Sequence, residues 1–227
     1  MKLTYFGHST FRLQVGNVRI ILDPFLTSNP HGKVELKNVP CEYILCSHAH
    51  DDHIADALPL AKLHGATIIA PYELAEYFGQ QGAKIIDLMP GGGIDLDWGR
   101  VDLTPAIHSS ALDLTDGSTL AMGNPAGIRI KAGGRILYHA GDTALFTDMK
   151  LIGRPGLDVA MVPIGDRYTM GPADAVESLS FLRPKLAIPM HYNTTPKIQT
   201  DPHAFAATAT AAGHTVKVMV PGEEIEV

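Results

Sequence analysis

The sequence predicts an α/β fold, on three observations. Short β-rich runs alternate with helical ones, several strands are continuous apolar runs of the kind buried on both faces, and glycine-centred two-residue loops join neighbouring strands into hairpins. Leu3 to Phe6, Phe11 to Val15 and Val18 to Leu22 read as strands, with Gly16-Asn17 as the tight loop between the last two. Glu42 to Ser47 is a nearly unbroken apolar run and reads as a buried strand. A helical pattern follows from Ile54 to His64, then a short strand from Thr67 to Ala70. Pro71 is suited to a first helical position and opens a helix to about Gln81.

The second part repeats the theme. Val101 to Ile107, Ile128 to Ala132 and Arg135 to His139 read as strands, the last two joined at Gly133-Gly134. Buried strands follow at Asp158 to Pro163 and Lys185 to Pro189, with a helix from Pro172 to Leu182 between them. An Ala-rich helix from Pro202 to Ala212, a strand from Thr215 to Val220 and a short acidic tail complete the chain. Gly91-Gly92-Gly93 makes a turn and not a linker, so residues 1–227 read as one domain. Leu3 to Thr10 is echoed one hundred positions later by Leu103 to Ser110, and a glycine-turn hairpin follows each copy. The echo implies two similar halves with His8 and His108 in related places, although a match this short also arises by chance.

Composition narrows the function. With 45% hydrophobic and 19% charged residues the chain can build a core and is not disordered. Its net charge is −6, and the 18 basic residues are scattered, which argues against nucleic acid as a partner. No run of 18 apolar residues predicts a membrane span, and His8 and Arg12 interrupt any signal-peptide core, so a cytoplasmic location is expected. Cys41 and Cys46 read as reduced thiols. Oligomeric state stays open, a homo-oligomer included. Histidine is in excess, 11 against seven each of Tyr and Phe.

The histidines are not scattered. Ser47-His48-Ala49-His50-Asp51-Asp52-His53 directly follows a buried strand and puts His48, His50, Asp52 and His53 within six residues. Nitrogen and carboxylate donors at this spacing suit zinc, manganese or iron. A merely solvated loop would be rich in Ser, Gly and Asn instead. His108, Asp142 and His191 each follow a strand, and strand ends are where α/β sheets collect their ligands. Singly, each has a bland reading as a structural hydrogen bonder or helix cap; as a set with the first cluster they do not.

This set, in this order, resembles the metallo-β-lactamase superfamily along essentially the whole chain. Gly7-His8-Ser9, Leu22-Asp23-Pro24-Phe25, the loop Gly165 to Pro172, and Pro189 to Thr194 resemble more narrowly a branch of metal-dependent hydrolases related to ascorbate-6-phosphate lactonase. The resemblance implies an αββα four-layer sandwich of two similar halves with a dinuclear site at one edge. It assigns His48, His50 and His108 to one metal, Asp52, His53 and His191 to the other, and Asp142 to both. Two divalent ions are implied, zinc first, with manganese or iron as alternatives. Asp23 resembles an aspartate that supports the ligand loop from behind; otherwise it is a turn residue before Pro24. Asp51 reads as a helix N-terminal residue.

Such a site implies hydrolysis by a metal-bound hydroxide without a covalent intermediate. Asp52 is also a candidate proton acceptor. His8 is a candidate general acid or, equally, a structural residue. Asp166, Arg167 and Tyr168 form a candidate substrate loop, and Tyr192 and Asn193 candidate hydrogen-bond donors to substrate. His31, His64, His203 and His214 read as surface or helix-end residues, and His139 as internal to its strand pair. The expected substrate is a small ester, lactone or phosphate ester. The alternatives are a phosphodiesterase or nuclease, a di-iron oxidoreductase lacking its flavin domain, and a non-catalytic metal-binding module.

Overall fold

The computed structural model describes residues 1–227. Strands β1 (Lys2–Gly7), β2 (Thr10–Val15) and β3 (Val18–Leu22) form an antiparallel meander. β4 (Tyr43–Leu45), β5 (Thr67–Pro71) and β6 (Lys84–Leu88) extend it in parallel, with α1 (Asp51–Ile54), α2 (Ala57–His64) and α3 (Tyr72–Gln80) in the crossovers. β7 (Gly93–Leu96) and β8 (Gly99–Pro105) begin a second sheet, and β9 (Ala111–Asp113) and β10 (Thr119–Ala121) make a separate hairpin. β11 (Ala126–Ala132) and β12 (Arg135–His139) are antiparallel, and β13 (Val159–Pro163) and β14 (Leu186–Met190) continue in parallel. α4 (Met149–Gly153) and α5 (Pro172–Leu182) precede these two strands; α6 (Pro202–Ala211) follows, and β15 (Glu224–Glu226) returns to pair with β1. The sheets run β15-β1-β2-β3-β4-β5-β6 and β14-β13-β12-β11-β8-β7.

The period of two along each strand sorts the layers. Ile20, Leu22, Leu45 and Ile69 join Val101, Leu103, Ile128 and Ile130 in the core shared by both sheets. Their neighbours Ile21, Ile44, Cys46 and Ile68 face the other way, under Leu60, Leu74 and Phe78 of α2 and α3. Met149, Leu179 and Phe205 of α4 to α6 add the fourth layer. The result is the expected αββα sandwich. Its halves are alike: β1 to β5, and β8 with β11 to β14, share one order and one sequence of antiparallel and parallel pairings.

Three expectations change. The helix predicted from Ile54 to His64 is two helices, because the Asp56 amide bonds the Pro24 carbonyl at 3.1 Å instead of continuing the helical ladder. The strand predicted at Thr215 to Val220 shrinks to a bridge between Val216 and Ala187. Ala187 donates to Thr215 and accepts from Lys217, but the next donor on that strand would be Pro189, which has no N–H. The acidic tail is ordered, as β15. β6 and β7, half-buried edge strands, and the exposed β10 lack the apolar pattern that reveals a strand.

Asp56 fastens the helix break to the loop after β3. Its buried carboxylate accepts from Leu26 N at 2.6 Å, Thr27 N at 2.9 Å and Thr27 Oγ1 at 2.8 Å. Replacing Asp56 by Ala leaves these donors unpaired and should cost about 3 kcal/mol; a chemical-denaturation midpoint unchanged from wild type would contradict it.

Candidate metal centre

The predicted ligands converge on one another from four segments, Asp52 and His53 from the short helix α1 and the others from the loops that follow strands. Ser47 and His48 form a bend directly after β4, and His50, extended (φ −72, ψ 144), is the residue before α1. This path brings His48 and His50 together at 2.9 Å between their ring nitrogens. His108 arrives from the loop after β8, which is pinned to the Asp142 loop: Ile107 N donates to Thr143 Oγ1 at 3.0 Å and Ala144 N to the Ile107 carbonyl at 3.0 Å. His48 Nε2 is 2.9 Å and His108 Nε2 is 3.3 Å from His50 Nδ1, and the three rings stand at 84°, 88° and 86° to one another. Nitrogens bound to one zinc at about 2.0–2.1 Å stand roughly 3.3 Å apart, so three perpendicular imidazoles converging this closely have the form of a metal triad.

Beside them His8, Asp52, His53 and His191 form a second group. Asp142 lies between the two. Its Oδ1 is 3.3 Å from His53 Nε2, and its Oδ2 is 3.0 Å from His191 Nε2 and 3.6 Å from His108 Nε2. Gly141 turns the chain there at φ 60, where a Cβ would meet the Ala126 carbonyl at 2.7 Å. His53 Nε2 and Asp142 Oδ1 are buried and, despite their proximity, make no hydrogen bond. Both atoms aim at the space between them, which is what metal ligands do and what unpaired buried polar atoms ordinarily avoid. By donor type and by these orphaned atoms, the residues fit divalent metal.

Behind this cluster sits Asp23, fully buried at the end of β3. It accepts from Ser47 N at 2.7 Å and Ser47 Oγ at 2.6 Å, and its Oδ2 is 2.7 Å from His53 Nδ1. The Ser47 hydroxyl also meets His48 Nδ1 at 2.9 Å. Burial opposes the charge of Asp23, but His53 and His139 outweigh it and hold the carboxyl below its ordinary range. Burial likewise opposes charge on His53, yet Asp142 and Asp23 on its two sides raise its pKa well above the usual imidazole value.

Residues 2–191 match the family described as the β-lactamase superfamily domain. The chain belongs to the β-lactamase superfamily. A metal-dependent hydrolase of Opitutus terrae is 65% identical over 227 residues, covering 100% of both chains, and one of a Geobacillus strain is 45% identical over the same span. The solved structure of a metallo hydrolase from the archaeon Ignicoccus hospitalis is 40% identical with a TM-score of 0.90, covering 100% of this chain and 98% of its own.

In this superfamily member the cavity over the cluster has a volume of about 410 Å³ and is lined by His50, Asp52, His108, Ser109, Asp113, Asp142, Tyr168 and His191. Tyr168, 47% exposed, is thus the one member of the predicted substrate loop that reaches it. Asp166 and Arg167 do not line it: Asp166 spends its main chain on a tight turn to Thr169 and Met170, and the Arg167 guanidinium lies over the Tyr168 ring at 5.7 Å. Tyr192 and Asn193 are also misplaced by the sequence reading. His191 and Asn193 have left-handed backbones (φ 56 and 59), which turn the chain so that Tyr192 and Asn193 face a different cavity of about 300 Å³ with Tyr5 and His31. His8 is buried behind Asp52 and does not line the cavity, so it is not placed to protonate a leaving group. His139 lies within β12 with Nε2 on the Ser9 carbonyl, as expected. The sequence reading missed Ser109 and Asp113, which stand on and before the β9 hairpin with no periodic signal to mark them.

His8, His48, His50, His108 and His139 are all held below the ordinary imidazole value, burial being the first cause in each, and His8 falls to about 4. The unfolded chain takes up protons at these positions as pH falls through 6.5, whereas folded His8 does so only near 4. Acidification across that window therefore removes stability. His53 has the opposite sign, its contribution being complete below 6.5 and lost as pH rises through its raised folded value. Because the His53 contribution is constant below 6.5, the five lowered groups set the trend: the thermal midpoint of chelator-treated protein should fall from pH 6.5 to about pH 4, and a midpoint that held or rose would refute it.

Proposed function

We propose that the protein is a dinuclear metal-dependent hydrolase of a small ester, lactone or phosphate ester in the cytoplasm. The observation that carries this reading is the position of Asp142, whose two oxygens face His53 on one side and His191 and His108 on the other. His48, His50 and His108 would hold one ion, Asp52, His53 and His191 the other, and Asp142 both, with zinc, manganese or iron all compatible with the donor set. Two such ions acidify a water and polarise a carbonyl or phosphoryl oxygen. The chain's own residues do the rest. Asp23 fixes His53 and the Ser47–His48 turn, the shared Asp142 spaces the two groups, and Asp52, 41% exposed at its side chain, is the carboxylate placed to take a proton at the cavity wall.

The cavity wall contains no lysine or arginine. A polyanion would find only the metals to neutralise it there, which, with the net charge of −6, supports carbonyl esters and lactones ahead of nucleic acid. Both cysteines are free and buried, in keeping with a reducing compartment, and no helix is long and apolar enough to cross a membrane.

Metal analysis of purified protein and a panel of lactones, esters, phosphomonoesters and phosphodiesters test the reading. Wild type should hold two metal equivalents and turn over a lactone or ester, and Asp142→Ala should abolish turnover with loss of metal. Turnover of phosphodiesters alone would overturn the substrate assignment; full activity of Asp142→Ala would overturn the site. Asp23→Ala should weaken metal binding by about 10–100-fold without removing any ligand.

A further inference from the structure

His8 is held at three atoms. Its carbonyl accepts from His191 N at 2.9 Å and from Tyr5 Oη at 3.2 Å, its Nδ1 meets Thr194 Oγ1 at 2.8 Å, and its Nε2 meets Asp52 Oδ2 at 3.0 Å. The backbone is left-handed here (φ 55), and Gly7 before it (φ 101) is needed because a Cβ would press on Asn29 and His31 at 3.0 Å each. A conformation this unfavourable persists only where the surroundings impose it.

The proton positions follow from the partners. An ionised carboxylate can only accept, so the hydrogen between Asp52 and His8 lies on His8 Nε2. Nδ1 of the neutral ring is then an acceptor, and the buried Thr194 hydroxyl donates to it. Both ring nitrogens are thereby committed, and neither is free to bind metal. Asp52 needs such a partner. It stands in a four-residue helix with its side chain partly in the cavity, and His8 is the one protein hydrogen-bond donor to its carboxylate. Its Oδ2 lies 3.8 Å from His191 Nε2 and its Oδ1 3.9 Å from His53 Nε2, so a rotation of the carboxylate would carry it away from both.

We propose that Thr194 and His8 are positioning residues: a buried hydroxyl–imidazole pair that sets the rotation of the Asp52 carboxylate and so completes the His53–Asp52–His191 metal position. Asp52 places the ring proton on Nε2, and Thr194, donating to Nδ1, holds the ring so that this N–H stays aimed at Asp52. The inference rests on the two-metal reading above and assigns no further ligand.

The test is zinc affinity by chelator competition on wild type, Thr194→Val and Thr194→Ser, with ¹⁵N spectra of the histidine rings in zinc-loaded wild type. Thr194→Val keeps the volume and removes the donor. It should weaken one of the two zinc equivalents by about 10–100-fold, leave the other unchanged, and lower kcat more than it raises KM. The unchanged equivalent, on His48, His50 and His108, reports that the fold is intact. Thr194→Ser should restore both to near wild type. His8 Nε2 should carry hydrogen in the loaded protein. Wild-type affinity at both sites in Thr194→Val, or a metal-bound His8 nitrogen, overturns the proposal while leaving two metals in place. A wild type that holds a single equivalent overturns the two-metal reading, and the inference with it.

Discussion

A buried carboxylate with no exposure to water must be paired on every side, and Asp23 is that carboxylate. Its hydrogen-bond partners come from two segments: the Ser47 main chain and hydroxyl, and the first helical turn through His53. Satisfying Asp23 therefore fixes the path of the chain from β4 into α1. Removing it would leave a Ser47 amide unpaired in the interior and free two of the candidate ligands, His48 and His53, to rotate.

The position of Asp23 is explained by the doubled architecture. Each half presents a meander whose third strand is followed by parallel strands, and each third strand ends in an aspartate, Asp23 after β3 and Asp142 after β12. The two acids occupy similar corners and have different surroundings. Asp142 has one buried oxygen without a hydrogen bond and faces the cavity, whereas Asp23 has both oxygens saturated by Ser47 and His53. Burial alone would raise both pKa values, and neighbouring imidazoles lower both instead.

How much of this could be read from the residues depended on the local signal each one carried. His48, His50, Asp52 and His53 share one short loop, and His108, Asp142 and His191 each come just after an apolar strand, so pattern and position agreed. The α/β class was legible because an unbroken apolar run such as Ile44 to Cys46 demands cover on both sides, whereas the αββα layering was an implication of the family resemblance. Tyr192 and Asn193 sit next to a candidate ligand in sequence but not in space, since left-handed residues at 191 and 193 reverse the direction of the chain. Adjacency in sequence carries no orientation across such a kink. Asp113 lay beyond reach for another reason: it ends a three-residue strand that pairs with neither sheet, too short for a pattern to announce it. The split at Asp56 was hidden because its cause, the Pro24 carbonyl, is 32 residues away.

The tautomers tie these observations together. An imidazole offers one nitrogen to a cation when its single proton sits on the other, and a partner on that other nitrogen fixes which one it is. His48 gives Nδ1 to Ser47 Oγ and His53 gives Nδ1 to Asp23, and both send Nε2 inward. His50 is reversed, with Nδ1 inward and Nε2 3.4 Å from Ser109 Oγ at the cavity wall. His8 gives Nδ1 to Thr194 but spends Nε2 on Asp52, which places it among the residues that hold ligands. Neither His108 nor His191 has a hydrogen-bond partner on Nδ1, and His191 is fixed by its backbone, through its amide bond to the His8 carbonyl. Ser47, whose hydroxyl hydrogen goes to Asp23, can only accept from His48 Nδ1 and so decides which nitrogen His48 presents.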